Sequence, residues 1–151
     1  MTEVSSDSFD LGRFVAAQEG VYPMALAEIT AGTKRSHWIW FIFPQVSGLG
    51  SSSMAQQYAI RSRAEAQAYL AHPVLGQRLL ESTKALLGVH GRSANQIMGS
   101  PDDLKLRSSM TLFAHVSQPG SPFEQVLAKF FSGEKDQRTV DFLRTNEPPG
   151  A

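Results

Sequence analysis

The sequence predicts one mainly α-helical domain, with at most a small extended or β element around residues 38–43. Apolar residues recur at helical spacing along most of the chain, which favours amphipathic helices. Four serines precede Glu, Gln or Asp by three positions, the spacing of a capping box at a helix start: Ser62, Ser93, Ser100 and Ser121. The six consecutive bulky apolar residues 38–43 are too few to span a bilayer, which needs roughly 20, and they favour a buried strand or extended segment.

Two helices are predicted at the start of the chain. Asp7 is a candidate cap for the first helix, and Gly20 ends it. One side of this helix would carry Leu11, Phe14, Val15 and Gln18. The second helix is predicted from about Tyr22 to Gly32, with Pro23 tolerated in its first turn.

The apolar segment at 38–43 is expected to be at least half buried. As a strand it would alternate, so that Trp38, Trp40 and Ile42 share one face and Ile39, Phe41 and Phe43 share the other. Residues 47–53 are rich in Gly and Ser, which predicts a loop whose backbone lies open to close approach by a ligand or serves as a plain connection.

The rest of the chain is predicted to be helical. Pro73 opens a helix that ends near Gly88 or Gly91, and Pro101 and Pro122 each suit a helix's first turn. The helix after Pro122 has a complete apolar face that should close the core: Phe123, Val126, Leu127, Phe130 and Phe131. A last amphipathic turn or two is predicted at residues 136–143, and residues 1–6 and 146–151 are predicted to be disordered tails of the single domain 1–151.

Composition excludes several classes of function. Fourteen basic and fourteen acidic side chains give zero formal net charge, so neither non-specific nucleic-acid binding nor membrane binding is expected. The absence of cysteine excludes disulfides, thiolate catalysis and cysteine-ligated metals. No cofactor and no metal site is predicted, and the cytoplasm is the expected compartment. The oligomeric state is left open.

A basic stretch immediately before the apolar segment is the first candidate binding region. Lys34, Arg35 and His37 would act as a phosphate clamp, or would form a solvated turn whose cations favour the end of the preceding helix. Trp38 and Trp40 would stack on a base in the first interpretation and would be core residues in the second.

A second candidate region is the helix after Pro101. Arg107, Ser108, Thr111 and His115 gather on one side, suited to a sugar or phosphate, although Ser and Thr in helices also bond back to the preceding turn. We expect distant polar side chains to converge on one pocket, with Thr111 as the substitute for Ser109, which helix geometry turns away from Arg107. The converging set is Lys34, Arg35, His37, Gln45, Arg107 and Ser109.

Candidates for a catalytic acid or base are few. Glu28 lies near the basic stretch, and Asp102 lies in the first turn of the later helix. Each also has a structural interpretation, Glu28 as an exposed partner for a cation and Asp102 as a favourable charge at a helix N-terminus. The catalytic group therefore stays unidentified.

Four blocks of the sequence, residues 9–18, 34–45, 71–76 and 102–113, resemble a bacterial family known as domain of unknown function 1810, some of whose members are labelled calpastatin. Residues 69–87 and 99–102 resemble, more distantly, the YbiA-like or NADAR superfamily of mainly helical proteins. Characterised members of that superfamily cleave N-glycosidic bonds in ADP-ribosyl or ribosylamino compounds. Its Glu-x-x-x-Gln motif and late Trp-Gly pair find no counterpart here, so no catalytic residue is carried over.

Two functions follow as hypotheses. The first is an N-glycosidase, a hydrolase acting on a nucleotide-like or ADP-ribosylated substrate, as the distant resemblance implies. The second is a non-catalytic module that binds a nucleotide or a protein through the same pocket. A buried carboxylate beside the cations would favour the enzyme, and cations and aromatics alone would favour the binding module.

Overall fold

A computed structural model describes residues 7–145 of the protein, and these residues form ten helices joined by short loops. In chain order the helices are α1 (Gly12–Gln18), α2 (Tyr22–Ala31), α3 (Ile39–Ile42), α4 (Ser53–Gln57), α5 (Arg63–Ala71), α6 (Leu75–Leu87), α7 (Ala94–Met98), α8 (Asp102–His115), α9 (Pro122–Phe131) and α10 (Gln137–Thr145). The predicted mainly α-helical fold is confirmed. The predicted tails, residues 1–6 and 146–151, lie outside the described residues.

The first two helices begin and end for local reasons. The Asp7 carboxylate accepts hydrogen bonds from the backbone N–H groups of Leu11 and Gly12, so it caps α1 from a preceding turn, and the helix starts at Gly12. Helix α2 ends at Gly32, which adopts a left-handed φ of 79° that suits glycine. Both predicted helices are therefore present.

The small strand or extended segment allowed for at residues 38–43 is not formed, because this segment contains the single helical turn α3. A strand needs a neighbouring strand to satisfy its backbone, whereas the neighbours here are α1, α6 and α8. A helical turn satisfies its own backbone, with N···O distances of 3.2 Å from Ile42 to Trp38 and 2.9 Å from Phe43 to Ile39. Trp40 and Phe41 are partly exposed, and the other four residues of the segment are buried: Trp38, Ile39, Ile42 and Phe43. The predicted burial of the segment is therefore confirmed, whereas its side chains do not alternate between two faces as a strand would require.

Three of the four predicted serine caps are confirmed. The hydroxyls of Ser62, Ser93 and Ser121 accept backbone N–H groups at the starts of α5, α7 and α9, and the cap at Ser93 is a full capping box. The cap at Ser100 is wrong. The N–H of Asp103, which Ser100 would have capped, already donates to the Gly99 carbonyl at 2.9 Å, and α8 begins without a side-chain cap.

Helix α8 is the centre of the core. Eight of its fourteen residues are buried, and it contacts α3, α5, α7, α9 and α10. Phe113 on α8 lies between two other buried rings, with centroid distances of 5.4 Å to Tyr69 and 5.8 Å to Phe123. The predicted closing face of α9 is buried at Phe123 but only partly buried at Phe130, because Phe130 lies near the C-terminal end of α9.

A buried ion pair joins α1 to α5. Arg13 Nη2 lies 2.8 Å from Glu65 Oε2, and the two side chains are only 9% and 3% exposed. The same guanidinium donates to the carbonyls of Phe9, Asp10, Gln57 and Ala59. Arg13 therefore connects α1 to the loop before α5 through one side chain. None of the helices between residues 7 and 145 has the length and hydrophobicity to cross a membrane.

Candidate functional site

A cleft of about 480 Å³ opens between the loop at residues 45–52, the N-terminal half of α8 and the start of α10. We call it the cationic cleft. It is lined by Gln45, Leu49, Gly50, Ser51, Ser52, Ala55, Pro101, Leu104, Lys105, Arg107, Ser108, Asp136 and Arg138. Three cations and one carboxylate form this lining, so the lining itself carries an excess of positive charge although the chain has no formal net charge.

The two arginines of the cleft have spare donor capacity. Arg107 Nη1 lies 3.6 Å from a Glu134 carboxylate that is 74% exposed, a geometry that holds the guanidinium weakly. Its Nε–H is buried without a hydrogen-bond partner in the described part of the chain. Arg138 donates one hydrogen bond, from Nη2 to the Gly48 carbonyl at 2.9 Å. A guanidinium carries five N–H donors, so both side chains retain donors for an anion.

Lys105 stands at the edge of an internal charge network. Its ammonium lies 5.3 Å from the centroid of the Trp40 ring and 3.5 Å from Asp102. Asp102 also pairs with Lys34 at 2.8 Å, and the Lys34 side chain is only 6% exposed. Lys34 further donates to the Ser36 carbonyl, so its charge is already satisfied inside the protein. Lys105 is the lysine of this network that lines the cleft.

Asp136 is fixed in the cleft by two threonines. Its backbone N–H donates to Thr111 Oγ1 at 2.9 Å, and its Oδ2 accepts from the backbone N–H and the hydroxyl of Thr139. Both threonines are buried, and the Thr111 hydroxyl in turn donates to the Arg107 carbonyl at 2.8 Å. Thr111, a predicted binding residue, therefore positions other groups and has no free hydroxyl for a ligand.

The other predicted binding residues are divided by the fold. Gln45 and Arg107 line the cationic cleft. Arg35 and His37 are exposed and lie outside its lining. Trp38 and Ser109 are fully buried, so neither side chain is accessible to a ligand in this structure.

Trp40 lies in a smaller cavity beside the cleft. This cavity, of about 10 Å³, shares Gln45, Gly50 and Ala55 with the cleft. It is too small for a nucleobase and about the size of one water molecule. The Trp40 Nε1–H is buried and has no hydrogen-bond partner among residues 7–145. Trp40 therefore supports the floor of the cleft and offers no stacking face in its lining.

Glu28, a predicted catalytic candidate, holds the basic stretch in place. Its carboxylate accepts the backbone N–H groups of Arg35 and Ser36, the Ser36 hydroxyl and the Trp38 Nε1–H. Burial raises the pKa of Glu28, but the Arg35, Trp38 and Ser36 hydrogen bonds outweigh it and lower the pKa from 4.5 to about 2. At neutral pH Glu28 is ionised and fully engaged, which is the opposite of what a general acid needs.

Comparisons with known proteins give the family. A family model described as "Protein of unknown function (DUF1810)" matches residues 8–143. The chain belongs to this family. It is also similar to the conserved hypothetical protein Rv1873 from Mycobacterium tuberculosis, whose crystal structure was determined at 1.38 Å, with 54% sequence identity, a TM-score of 0.90, and coverage of 91% of this chain and 99% of that chain. No curated protein matches the chain.

Three cleft residues at the start of α8 were not among the predicted site residues: Pro101, Leu104 and Lys105. Together with Ser108, which was predicted, they have the i, i+3, i+4, i+7 spacing of a single helix side, and that spacing was the available signal. Asp136 and Arg138 join them from the start of α10, a long-range contact for which the sequence carries no local signal. Within residues 7–145, no group of three or more His, Cys, Asp or Glu side chains is placed to hold a metal ion.

Proposed function

We propose that the cationic cleft binds a phosphorylated small molecule of the nucleotide class. The observation that carries this proposal is the convergence of Lys105, Arg107 and Arg138, from two helices about thirty residues apart, on one concave surface. Like charges brought together repel each other, and the ion pairs that offset this repulsion are long, at 3.5 Å between Lys105 and Asp102 and 3.6 Å between Arg107 and Glu134. An anion between them would offset that repulsion.

Phosphate suits these three cations better than a carboxylate does. An arginine fork binds two phosphate oxygens at once and a lysine adds a point charge, so one or two phosphoryl groups match the donors available. A volume of about 480 Å³ lies within the range typical of small-molecule sites. The distant YbiA-like resemblance supports a nucleotide-like ligand, and we expect the cytoplasm as the compartment.

The wall of the cleft opposite α8 depends on glycine. A Cβ atom at Gly50 would lie 2.6 Å from Ala55 Cβ, which is closer than two such atoms can approach. Gly50 thus lets the loop lie directly against α4, beside Ser51 and Ser52 in the lining. Gly50 is therefore required for the packing of this wall against α4.

Cleavage of an N-glycosidic bond is the second candidate function. The observation that favours it is Asp136, a carboxylate in the lining of the cleft. Asp102, the other acidic candidate, is paired with Lys34 and Lys105, so it is committed to the charge network behind the cleft. Asp136 is only half-buried and its Oδ2 is engaged by Thr139, so the cleft lacks the buried carboxylate that would favour the enzyme, and binding is the leading proposal.

A thermal-stability screen tests the leading proposal. The wild-type protein is melted with ADP, ADP-ribose, NAD and inorganic pyrophosphate at low ionic strength, where an exposed cationic site binds best. A ligand at 100 times its dissociation constant adds about 2.7 kcal/mol to the free energy of unfolding. We expect at least one phosphorylated compound to raise the melting temperature, and Arg107→Ala to abolish the rise.

Arg144→Ala is the matched control for that screen. Arg144 is 72% exposed, lies on α10 like Arg138, and does not line the cleft. Its removal changes net charge by the same amount and should leave the ligand-induced rise intact. If no phosphorylated compound stabilises the wild-type protein, or if both variants respond alike, the proposed function is wrong. Product analysis by chromatography in the same samples tests the glycosidase candidate.

A further inference from the structure

The placement of Asp136 is unusual for a phosphate site. A carboxylate near bound phosphate repels it and lowers affinity, unless the ligand itself donates hydrogen bonds to that carboxylate. Asp136 is the one acidic side chain among the described residues that line the cationic cleft. Among the described residues, no ion pair within 4.0 Å joins Asp136 to Arg107 or Arg138; Arg107 pairs with Glu134, and Arg138 donates to the Gly48 carbonyl.

The helix cap uses only one of the two oxygens of the Asp136 carboxylate. Asp136 immediately precedes α10, and its Oδ2 accepts the Thr139 N–H and hydroxyl in the manner of an N-cap. Oδ1 has no hydrogen-bond donor in the part of the chain that the structure describes. A serine or asparagine would make the same cap without adding a negative charge to the cleft.

The carboxylate is also held rigidly. Thr111 and Thr139, both buried, bind its backbone N–H and its Oδ2. Such support fixes the direction of Oδ1, which is what selective recognition of a ligand group requires. The groups on a nucleotide that donate to a carboxylate oxygen beside the phosphates are the ribose hydroxyls.

We infer that Asp136 is a specificity residue that accepts a hydrogen bond from a ribose hydroxyl, so the cleft selects ribonucleotides over sugars lacking both the 2′ and 3′ hydroxyls. This inference rests on the proposed function, because both require Lys105, Arg107 and Arg138 to hold the phosphates of the ligand. The bound ligand would donate its hydroxyl to Oδ1 while Arg107, Arg138 and Lys105 contact phosphate. Loss of the hydroxyls leaves Oδ1 facing phosphate without compensation.

The test compares ADP with 2′,3′-dideoxy-ADP by isothermal titration calorimetry. We expect the wild-type protein to bind ADP at least about tenfold more tightly, as befits a hydrogen bond to a charged acceptor. In Asp136→Asn the preference for ADP over dideoxy-ADP should fall below about threefold. Dideoxy-ADP should bind this variant at least as tightly as it binds the wild-type protein, because a negative charge near the phosphates has been removed. Asp136→Ser, which also keeps an N-cap, serves as the second variant, and both are checked for folding by thermal melting.

The outcomes separate the two proposals. If wild-type protein binds ADP and dideoxy-ADP equally, the inference about Asp136 is overturned and phosphate binding stands. The same holds if both folded Asp136 variants keep the full preference. If the wild-type protein binds neither compound nor inorganic pyrophosphate, the proposed function itself fails and the inference fails with it.

Discussion

Replacing Glu28 tests how residues 35–38 are held against α2. Glu28→Gln keeps the shape of the side chain and one acceptor oxygen for Arg35 N–H, Ser36 N–H and Trp38 Nε1–H, which all bond to Oε1, but it removes the charge. A pKa lowered from 4.5 to about 2 corresponds to at most about 3.5 kcal/mol, at about 1.4 kcal/mol for each pKa unit. Glu28 is partly exposed and solvent screens its charge. We therefore expect Glu28→Gln to lower the free energy of unfolding by about 1–2 kcal/mol at pH 7, measured by urea denaturation.

The pH dependence gives the sharper form of this test. A carboxylate whose pKa is lower in the folded protein than in the unfolded chain stabilises the fold above the unfolded value, here 4.5. That contribution is lost as pH falls towards 2. The difference in free energy of unfolding between the wild-type protein and Glu28→Gln should therefore be full at pH 6–7 and nearly absent near pH 2.

Glu28→Ala provides the comparison within the series. It leaves the buried Trp38 indole N–H without an acceptor, so it should cost about 1–3 kcal/mol more than Glu28→Gln. Equal stability of the wild-type protein and Glu28→Gln at pH 7, or a difference that stays constant down to pH 2, would refute the assignment of Glu28 as an ionised clamp.

Three further predictions concern the core and the floor of the cleft. Arg13→Met should cost about 3–5 kcal/mol in urea denaturation, because it leaves a buried carboxylate unpaired, and a cost below about 1 kcal/mol would contradict this. Phe123→Ala should cost about 3–5 kcal/mol and Phe130→Ala clearly less, because only the first ring is fully buried; the reverse order of midpoints would show that α9 packs differently. Trp38→Phe leaves Trp40 as the sole tryptophan, and the Lys105 ammonium lies 5.3 Å from the centroid of its ring, so phosphate binding at Lys105 should change the remaining fluorescence; an unchanged spectrum at saturation with ADP would contradict a contact between Lys105 and phosphate.

Local signals in the sequence predicted most of the helices. A capping serine acts within one helical turn, so Ser62, Ser93 and Ser121 are readable from spacing alone. Ser100 failed because a competing acceptor, the Gly99 carbonyl, had taken the donor, which spacing does not reveal. The run at residues 38–43 failed because a short apolar run suits a strand and a buried helical turn equally, and its neighbours decide between them.

The candidate site was harder to predict than the helices, because it is formed by residues far apart in the sequence. Arg107 and Gln45 were predicted as binding residues and both line the cleft, whereas Lys34 was predicted on charge alone and is neutralised by Asp102. Whether a cation is free or paired depends on partners distant in sequence. The start of α10 reaches the cleft through tertiary contacts, so the role of Asp136 was not visible until the fold placed it there.

The central claim is that the cationic cleft binds phosphate, and calorimetric titration with ADP at low ionic strength tests it most directly. The three proteins are the wild type, the Arg107→Ala/Arg138→Ala double variant and the Arg144→Ala control. We predict saturable binding by the wild type and the control, and at least about tenfold weaker binding by the double variant at a nearly unchanged melting temperature. Equal affinity of the double variant and the control, or no binding by any of the three, would contradict the claim.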